Sequence, residues 1–473
     1  MIPGSANPLL LKSAAAAGGY QIERSLRFNS SDSAYLSRTP AVAGNRRTWT
    51  WAGWVKIASF ARTHFLFGAE NTFAAFNTNG TSSDCELYFN LRGSSTNYFV
   101  SYAPKLRDPS AWYHLVFAVD TTQGTPANIL KVYINGVQAT AAGGLGQSFP
   151  PQNDSLSVNN TVAHTICGSY YFDGYLADIH FIDGQALDAT AFTEVSATTG
   201  QLIPKAYAGS YTGNSFHLDF ADNSALTSGS NVGIGKDTSG LGNYWNTSGL
   251  SVTAGAGNDS LVDTPTSYGT DTGVGGEVRG NYCTWNPLDN LLNLSDGNLK
   301  ATTAGAFWRS ARGTFGISSG KWYWEVTIVQ TNYSIIGVAN SSFSLTNDFG
   351  SNTNNWAYAE VNGNKYGPGL GGGGAAYAST YGAGDVIGVV LDMDAGTISF
   401  YKNGVSLGQA FSGISGLIFP LISCTTEAGP GGINYTNFGQ RAFAYQTPGT
   451  NRPAATFLAL CDTNLGAPLV AKP

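Results

Sequence analysis

Residues Leu130–Gln138 read LKVYINGVQ, and residues Ile398–Gly408 read ISFYKNGVSLG. In each, an alternating run meets Asn-Gly and a second short run follows. Asn-Gly supplies the two positive-φ residues that a type I′ hairpin turn demands, here Asn135-Gly136 and Asn403-Gly404. Each hairpin is preceded by an apolar strand ending in Asp, His114–Asp120 (HLVFAVD) and Val386–Asp392 (VIGVVLD). The same three-strand unit thus occurs twice and predicts two related antiparallel β-domains.

Outward from the first unit, strand patterns cover Ser25–Phe28, Thr48–Lys56 (TWTWAGWVK), Phe65–Gly68, Glu86–Leu91, Tyr98–Tyr102 and Gly174–Ile182. Gly, Asn, Asp and Pro punctuate them at intervals of about 8–15 residues, the spacing of an all-β sandwich. One short helical candidate, Ala189–Glu194, follows Asp188. Around the second unit the pattern resumes in Trp322–Val329, Ile335–Ala339, Trp356–Val361, Thr397–Lys402 and Leu417–Ile422. Between the two, residues 208–280 are rich in Gly, Ser, Thr and Asn, with Phe216–Phe220 and Leu250–Thr253 strand-like. Tyr244-Trp245 in that stretch argues for an ordered connector, since disordered segments carry few aromatics.

The 473 residues suffice for two or three domains that bury a core without staples. Charged residues make up 11% and the net charge is −6, with no basic run. That excludes a nucleic-acid binder, whose affinity rests on Lys and Arg neutralising phosphates. No segment approaches the roughly 20 apolar residues of a membrane span. The five cysteines, Cys85, Cys167, Cys283, Cys424 and Cys461, are isolated and odd in number. They read as buried thiols of a protein folded in a reducing cytoplasm, not as a disulfide framework or a zinc site. The N-terminal MIPGSANPLLLKSAAAAGGY lacks a basic n-region, so it reads as an extended arm with Leu9, Leu10 and Leu11 as an apolar plug.

Several stretches resemble known families. SLRFNSSDSAYL (25–36), WTWAGWVK (49–56), WYHLVFAVD (112–120), LKVYINGVQ (130–138) and YFDGYLADIHFIDGQAL (171–187) are similar to the laminin-G-like branch of the concanavalin A-like lectin sandwiches. SGKWYWEVTI (319–328), IIGVAN (335–340), GDVIGVVLDMDAGTISFYKNGVSLGQAF (384–411) and IFPLIS (418–423) resemble a SPRY domain. The order of these modules, with KDTSGLGNYWNTSGLSVTAGAGNDSLVDTPT (236–266) between them and FLALCDTNL (457–465) at the end, resembles structural proteins of tailed bacteriophages. That resemblance implies a virion surface protein. Laminin-G-like modules often hold calcium at the sandwich rim, which the resemblance would place at Asp32, Asp173 and Asp178.

Catalytic signatures are sparse. Glycan hydrolysis needs two facing carboxyls, and the glutamates, Glu325 among them, are scattered with no paired cluster. The five histidines, His64, His114, His164, His180 and His217, show no metal-like spacing, and His114 reads as structural. KYGPGLGGGGAA (365–376) has no Walker lysine and no following helix, so it reads as a surface loop. Trp49 and Trp51 share one strand face and Trp54 takes the other. A second aromatic set, Trp356, Tyr358, Tyr366, Tyr377 and Tyr381, surrounds the glycine-rich stretch beside Asn352, Asn354, Asn355, Asn362 and Asn364. Rings and amides together suit a sugar, and packing on a neighbouring subunit suits them too.

The expectation is an all-β chain of two antiparallel β-sandwiches, concanavalin A-like/laminin-G-like and SPRY-like, joined by an ordered connector. Its parts are an anchoring arm (1–22), a laminin-G-like sandwich (23–207), a connector (208–280), a SPRY-like sandwich (281–446) and a tail (447–473). The expected function is a non-enzymatic phage tail fibre or adhesin. It would sit on the virion, be assembled in the bacterial host cytoplasm, and bind host-surface glycans through Trp356, Tyr358, Tyr366, Tyr377 and Tyr381. Leu9, Leu10 and Leu11 would anchor it to other virion proteins, in a homotrimer or another symmetric homo-oligomer. No catalytic residue and no resident metal are expected, calcium aside. A head-attached decoration or fibre and a glycan-degrading tailspike are the alternatives.

Overall fold

The computed structural model describes residues 19–465, except 78–84, 94–95, 143–146, 198, 225–228, 332, 347–353 and 426–430. Two compact units emerge, dividing between Thr266 and Ser267. The glycine- and asparagine-rich stretch 208–280 is therefore shared between them, and most of it packs with the first. Among the described residues no helix is long and apolar enough to cross a membrane.

The first unit stacks two antiparallel sheets. One runs Val137–Gln138, Leu130–Ile134, Trp112–Asp120, Thr48–Ile57, Gly174–Asp183, Ser25–Phe28 and Ser260–Leu261, with Phe216–Leu218 also paired to Gly174–Asp183. The other runs Asn246–Ser248, Tyr35–Arg38, His164–Ile166, His64–Ala69, Thr72–Asn77, Cys85–Arg92 and Asn97–Leu106. Alternation along Thr48–Ile57 sends Trp49 and Trp51 inward. There Trp51 stacks on Phe117 with centroids 4.9 Å apart, and Trp49 meets Phe67 edge-on at 6.3 Å. Trp54 takes the outer face beside His114, at 5.0 Å. The expected strand Leu250–Thr253 does not form; Asn246–Ser248 and Ser260–Leu261 flank it and each adds an edge strand.

Two buried ion pairs fasten the end of the 208–266 stretch to the sandwich. Lys56 Nζ lies 2.9 Å from Asp263 Oδ2, with both side chains at most 1% exposed. Asp263 Oδ1 also accepts the Trp112 indole N–H at 3.1 Å. Arg27 meets Asp259 at 2.9 Å.

The second unit repeats the sandwich plan with different strands. One sheet runs Trp285–Asn290, Arg309–Gly313, Ile418–Cys424, Ile335–Asn340, Asn355–Ala359, Asn364–Tyr366 and Ala375–Ala376. The other runs Asn293–Ser295, Lys300–Thr302, Ile433–Asn437, Lys321–Gln330, Val386–Asp392, Thr397–Lys402 and Val405–Phe411. Trp285 and Trp324 are fully buried against Phe438. Leu460 and Cys461 of the closing stretch are buried in this unit as well.

The repeated hairpins share one turn geometry. Asn135 and Gly136 have φ of 48° and 80°; Asn403 and Gly404 have 50° and 77°. In each, the Asn side-chain oxygen accepts a backbone N–H from the preceding strand, His114 in one and Val386 in the other, both at 2.8 Å.

Candidate functional site

The strand Gly174–Asp183 carries a bulge. Ala177 pairs with Trp54 and His180 with Ala52, so Asp178 and Ile179 together face Gly53 alone. Asp178 absorbs the extra residue with a left-handed φ of 51°. Such bulges bend a strand and re-aim its side chains. Regular alternation from Ala177 would put Asp178, and His180 with it, on the inner face. The bulge places it on the outer face with His180, while Ile179 turns in towards Gly53. Phe216–Leu218 pairs alongside and sets His217 opposite His180.

The result is a tight polar cluster under an aromatic cover. The His180 and His217 rings stack with centroids 4.2 Å apart and 10° between planes. His217 Nε2 lies 2.8 Å from Asp178 Oδ1, and His180 Nε2 lies 3.4 Å from Asp178 Oδ2. Tyr20 donates its hydroxyl to Asp178 Oδ1 at 2.7 Å. The outer ring nitrogens are held too, His180 Nδ1 by the Tyr211 hydroxyl at 2.7 Å and His217 Nδ1 by Thr238 Oγ1 at 3.0 Å. A cleft of about 330 Å³ lined by Tyr20, Asp178, His217, Asp219 and Thr238 opens onto the cluster.

Burial by itself would raise the Asp178 carboxyl. The charge of His180 and the hydrogen bond and charge of His217 outweigh it and hold the group well below the usual carboxylate range. Burial likewise disfavours a charged His217, yet the hydrogen bond and charge of Asp178 raise it above the ordinary 6.5. His180 is lowered, first by burial and then by the neighbouring His217. Burial and the Asp178 charge push the Tyr20 and Tyr211 hydroxyls up. An anionic carboxylate facing two imidazoles can hold a proton or a cation.

This cluster escaped the sequence reading. Its members are 39 residues apart at the widest, and strand pairing unites them, not a local motif. The available signal was a pair of short echoes, ADIHF (177–181) and FHLDF (216–220), each placing Asp and His two residues apart.

The anticipated calcium set does not assemble. Asp32 accepts the Asn29 amide at 2.7 Å within its own turn, and Asp173, from a distant segment, accepts the Ser30 backbone N–H at 2.7 Å. Asp178 stands apart from them with its two imidazoles, and nitrogen donors do not suit calcium.

The aromatic set lies on strands more than on loops. Trp356 and Tyr358 belong to Asn355–Ala359 and are buried. Tyr358, Tyr377 and Tyr381 gather with Phe400 at centroid distances of 4.9–6.0 Å. Their hydroxyls are spent on backbone carbonyls: Tyr358 on Ser379, Tyr377 on Gly408 at 2.5 Å, and Tyr381 within 3.0 Å of both Ser334 and Tyr358. Tyr366 pairs with Ala357, so it stands on the opposite sheet face from Trp356 and Tyr358. The five share no common surface. Leu9, Leu10, Leu11 and Asn352 lie outside the described residues. Glu325 is buried and structural, accepting the Ala444 and Tyr445 backbone N–H groups and the Tyr323 hydroxyl.

Residues 28–191 match the concanavalin A-like lectin/glucanases superfamily, and residues 321–440 match the SPRY domain. The chain carries one domain of each kind. Among known proteins, a Ran-binding proteins 9/10 homolog of Drosophila melanogaster is 31% identical over 173 residues, covering 34% of this chain and 18% of the fly protein. Ran-binding protein 9 of Xenopus tropicalis is 31% identical over 34% of this chain and 31% of its own length. The E3 ubiquitin-protein ligase RKP of Arabidopsis thaliana is 33% identical over 30% of this chain and 11% of its own. The matched part is thus less than a third of each relative. These are proteins of a fly, a frog and a plant. They overturn the expected phage tail fibre or adhesin, with its head-fibre and tailspike alternatives, its virion location, its virion and host-glycan partners and its fibre-like homo-oligomer. The error has a physical root: the motifs report sandwich folds, and folds are shared across functions.

Proposed function

We propose that this protein is a non-enzymatic binding protein whose SPRY domain recognises another protein. The similarity to Ran-binding proteins carries this reading, because those relatives are named for a protein they bind. Two features of the second unit support it. Glu325, the strand carboxylate best placed for chemistry, is committed to backbone amides. Phe307, Val361 and Val405 are 73%, 48% and 65% exposed, on or beside loops where strands of the second unit begin or end. Covering such side chains with a partner would remove apolar area from water.

The test uses the whole chain with a photo-crosslinking residue at Phe307, Val361 or Val405, incubated first with purified Ran and then with a eukaryotic cell extract. A saturable crosslink from at least one position, competed by unlabelled chain, supports the reading. Absence of any saturable protein adduct from all three positions sinks it.

A further inference from the structure

We propose that Asp178, His180 and His217 form a binding site for a divalent transition-metal ion of the zinc class, with its fourth position turned to the cleft. One oxygen and two nitrogen donors of these residues all lie within 4.8 Å of one another, the one such group among the described residues. Zinc takes imidazole nitrogen at about 2.0–2.1 Å and carboxylate oxygen at about 2.0–2.2 Å. A set this tight therefore closes on an ion with side-chain movement alone.

Four further observations point the same way. Each imidazole has its Nδ1 held by a hydroxyl, from Tyr211 or Thr238, which directs Nε2 at the carboxylate. Metal-ligating histidines are oriented in this manner by their second nitrogen. His180 is fully buried, and its Nε2 makes no hydrogen bond although Asp178 Oδ2 is 3.4 Å away. An orphaned buried nitrogen aimed at a carboxylate is costly, and an ion between them satisfies both. The bulge spends a left-handed backbone conformation on Asp178 and turns it, together with His180, to the face where His217 stands; strain of this kind gathers at functional sites. Finally, the cleft reaches Asp178 and His217 past Tyr20 and Thr238, giving an ion and one water a way in.

The donor set selects the ion. Two imidazoles and one carboxylate suit zinc, cobalt, nickel or copper and disfavour calcium and magnesium, which take oxygen. Ligation has two local consequences. The rings now stack in parallel, so His217, the more exposed at 14%, tilts out of the stack to aim its lone pair at the ion. Its Nε2 proton passes to solvent, and Tyr20 yields Asp178 Oδ1 to the metal.

The experiment titrates the intact chain with Zn²⁺ by calorimetry and with Co²⁺ by visible absorption at neutral pH. The expected result is one ion per chain, with the intense d–d bands of a four-coordinate nitrogen/oxygen site and no thiolate charge-transfer band. His217→Gln and Asp178→Asn should each weaken Zn²⁺ binding by about tenfold or more, and Thr238→Val, which frees the ring that Thr238 orients, by about tenfold. No uptake by the unsubstituted chain overturns the site and leaves a plain histidine–aspartate ion pair. A thiolate band, or unchanged affinity in both His217→Gln and Asp178→Asn, overturns it too. The cobalt spectrum of the unsubstituted chain stands even if a variant fails to fold.

Discussion

His164 shows how one buried side chain sets a pH limit. Its Nδ1 donates to the Val162 carbonyl at 2.8 Å, and its Nε2 accepts the Asn159 backbone N–H at 2.8 Å. That pattern fits only the neutral ring, since the imidazolium has no acceptor. Burial, the main cause, pulls its pKa down to about 4 from 6.5. The native state thus resists protonation that the unfolded chain accepts. Its contribution is complete above pH 6.5 and is lost as pH falls towards 4, at about 1.4 kcal/mol per unit. Urea unfolding of the first unit should show this loss between neutrality and pH 5. His164→Leu should unfold more readily at neutral pH, by about 1–3 kcal/mol for the stranded Asn159 N–H, and show a shallower acid decline. A parallel decline in the variant would remove His164 as its source. Nothing in the sequence around His164 announced this role, because its partners are backbone atoms of the turn at 157–163, which is itself held by distant segments such as Gly44 and Asp183.

The twin hairpins allow a comparison between elements with one backbone geometry and different surroundings. A methyl group on Gly136 would meet Leu202 Cδ1 at 3.2 Å, which a flexible side chain can relieve. On Gly404 it would meet the Tyr445 ring at 2.6 Å and the Asn451 Cβ at 3.0 Å. Both substitutions pay the left-handed penalty of about 1 kcal/mol. Gly404→Ala should cost about 1–3 kcal/mol more than Gly136→Ala because it also overpacks. Hydrogen exchange of the flanking strand amides reads each sandwich separately, and equal losses in protection would refute the difference. The hairpins were legible in sequence because Asn-Gly is a local signal. The bulge at Asp178 was not, since an inserted residue leaves LADIH looking like an ordinary strand. The strand at Trp356–Val361 was legible as well, and it forms as Asn355–Ala359; what alternation did not show is that it is buried on both faces, Trp356 and Tyr358 included.

At the scale of the whole molecule, all five cysteines are buried. Burial pushes the Cys167 thiol up and the Cys424 thiol up to about 12. Since the thiolate is the reactive species, a water-soluble thiol reagent should label none of the five in the native chain within minutes and all five in denaturant. Prompt labelling of any one by mass spectrometry would contradict its burial. Sequence motifs also identified both sandwich types, because strand alternation and turn residues recur wherever those sheets form. The biological role did not follow from the same motifs, since the surfaces that meet partners are built from loops whose residues the fold leaves free.

The Lys56–Asp263 pair bears on how this chain could be cut or recombined. A cassette trimmed to the family match, 28–191, would look complete on paper. It would omit Asp263, strip the counter-charge from a lysine 1% exposed, and incur about 3–5 kcal/mol, the usual cost of removing half of a buried pair. It would also omit both members of the second buried pair, Arg27 and Asp259. The inheritable unit is accordingly longer than the recognisable one. Any transplant of this sandwich into another protein should travel with everything through Thr266.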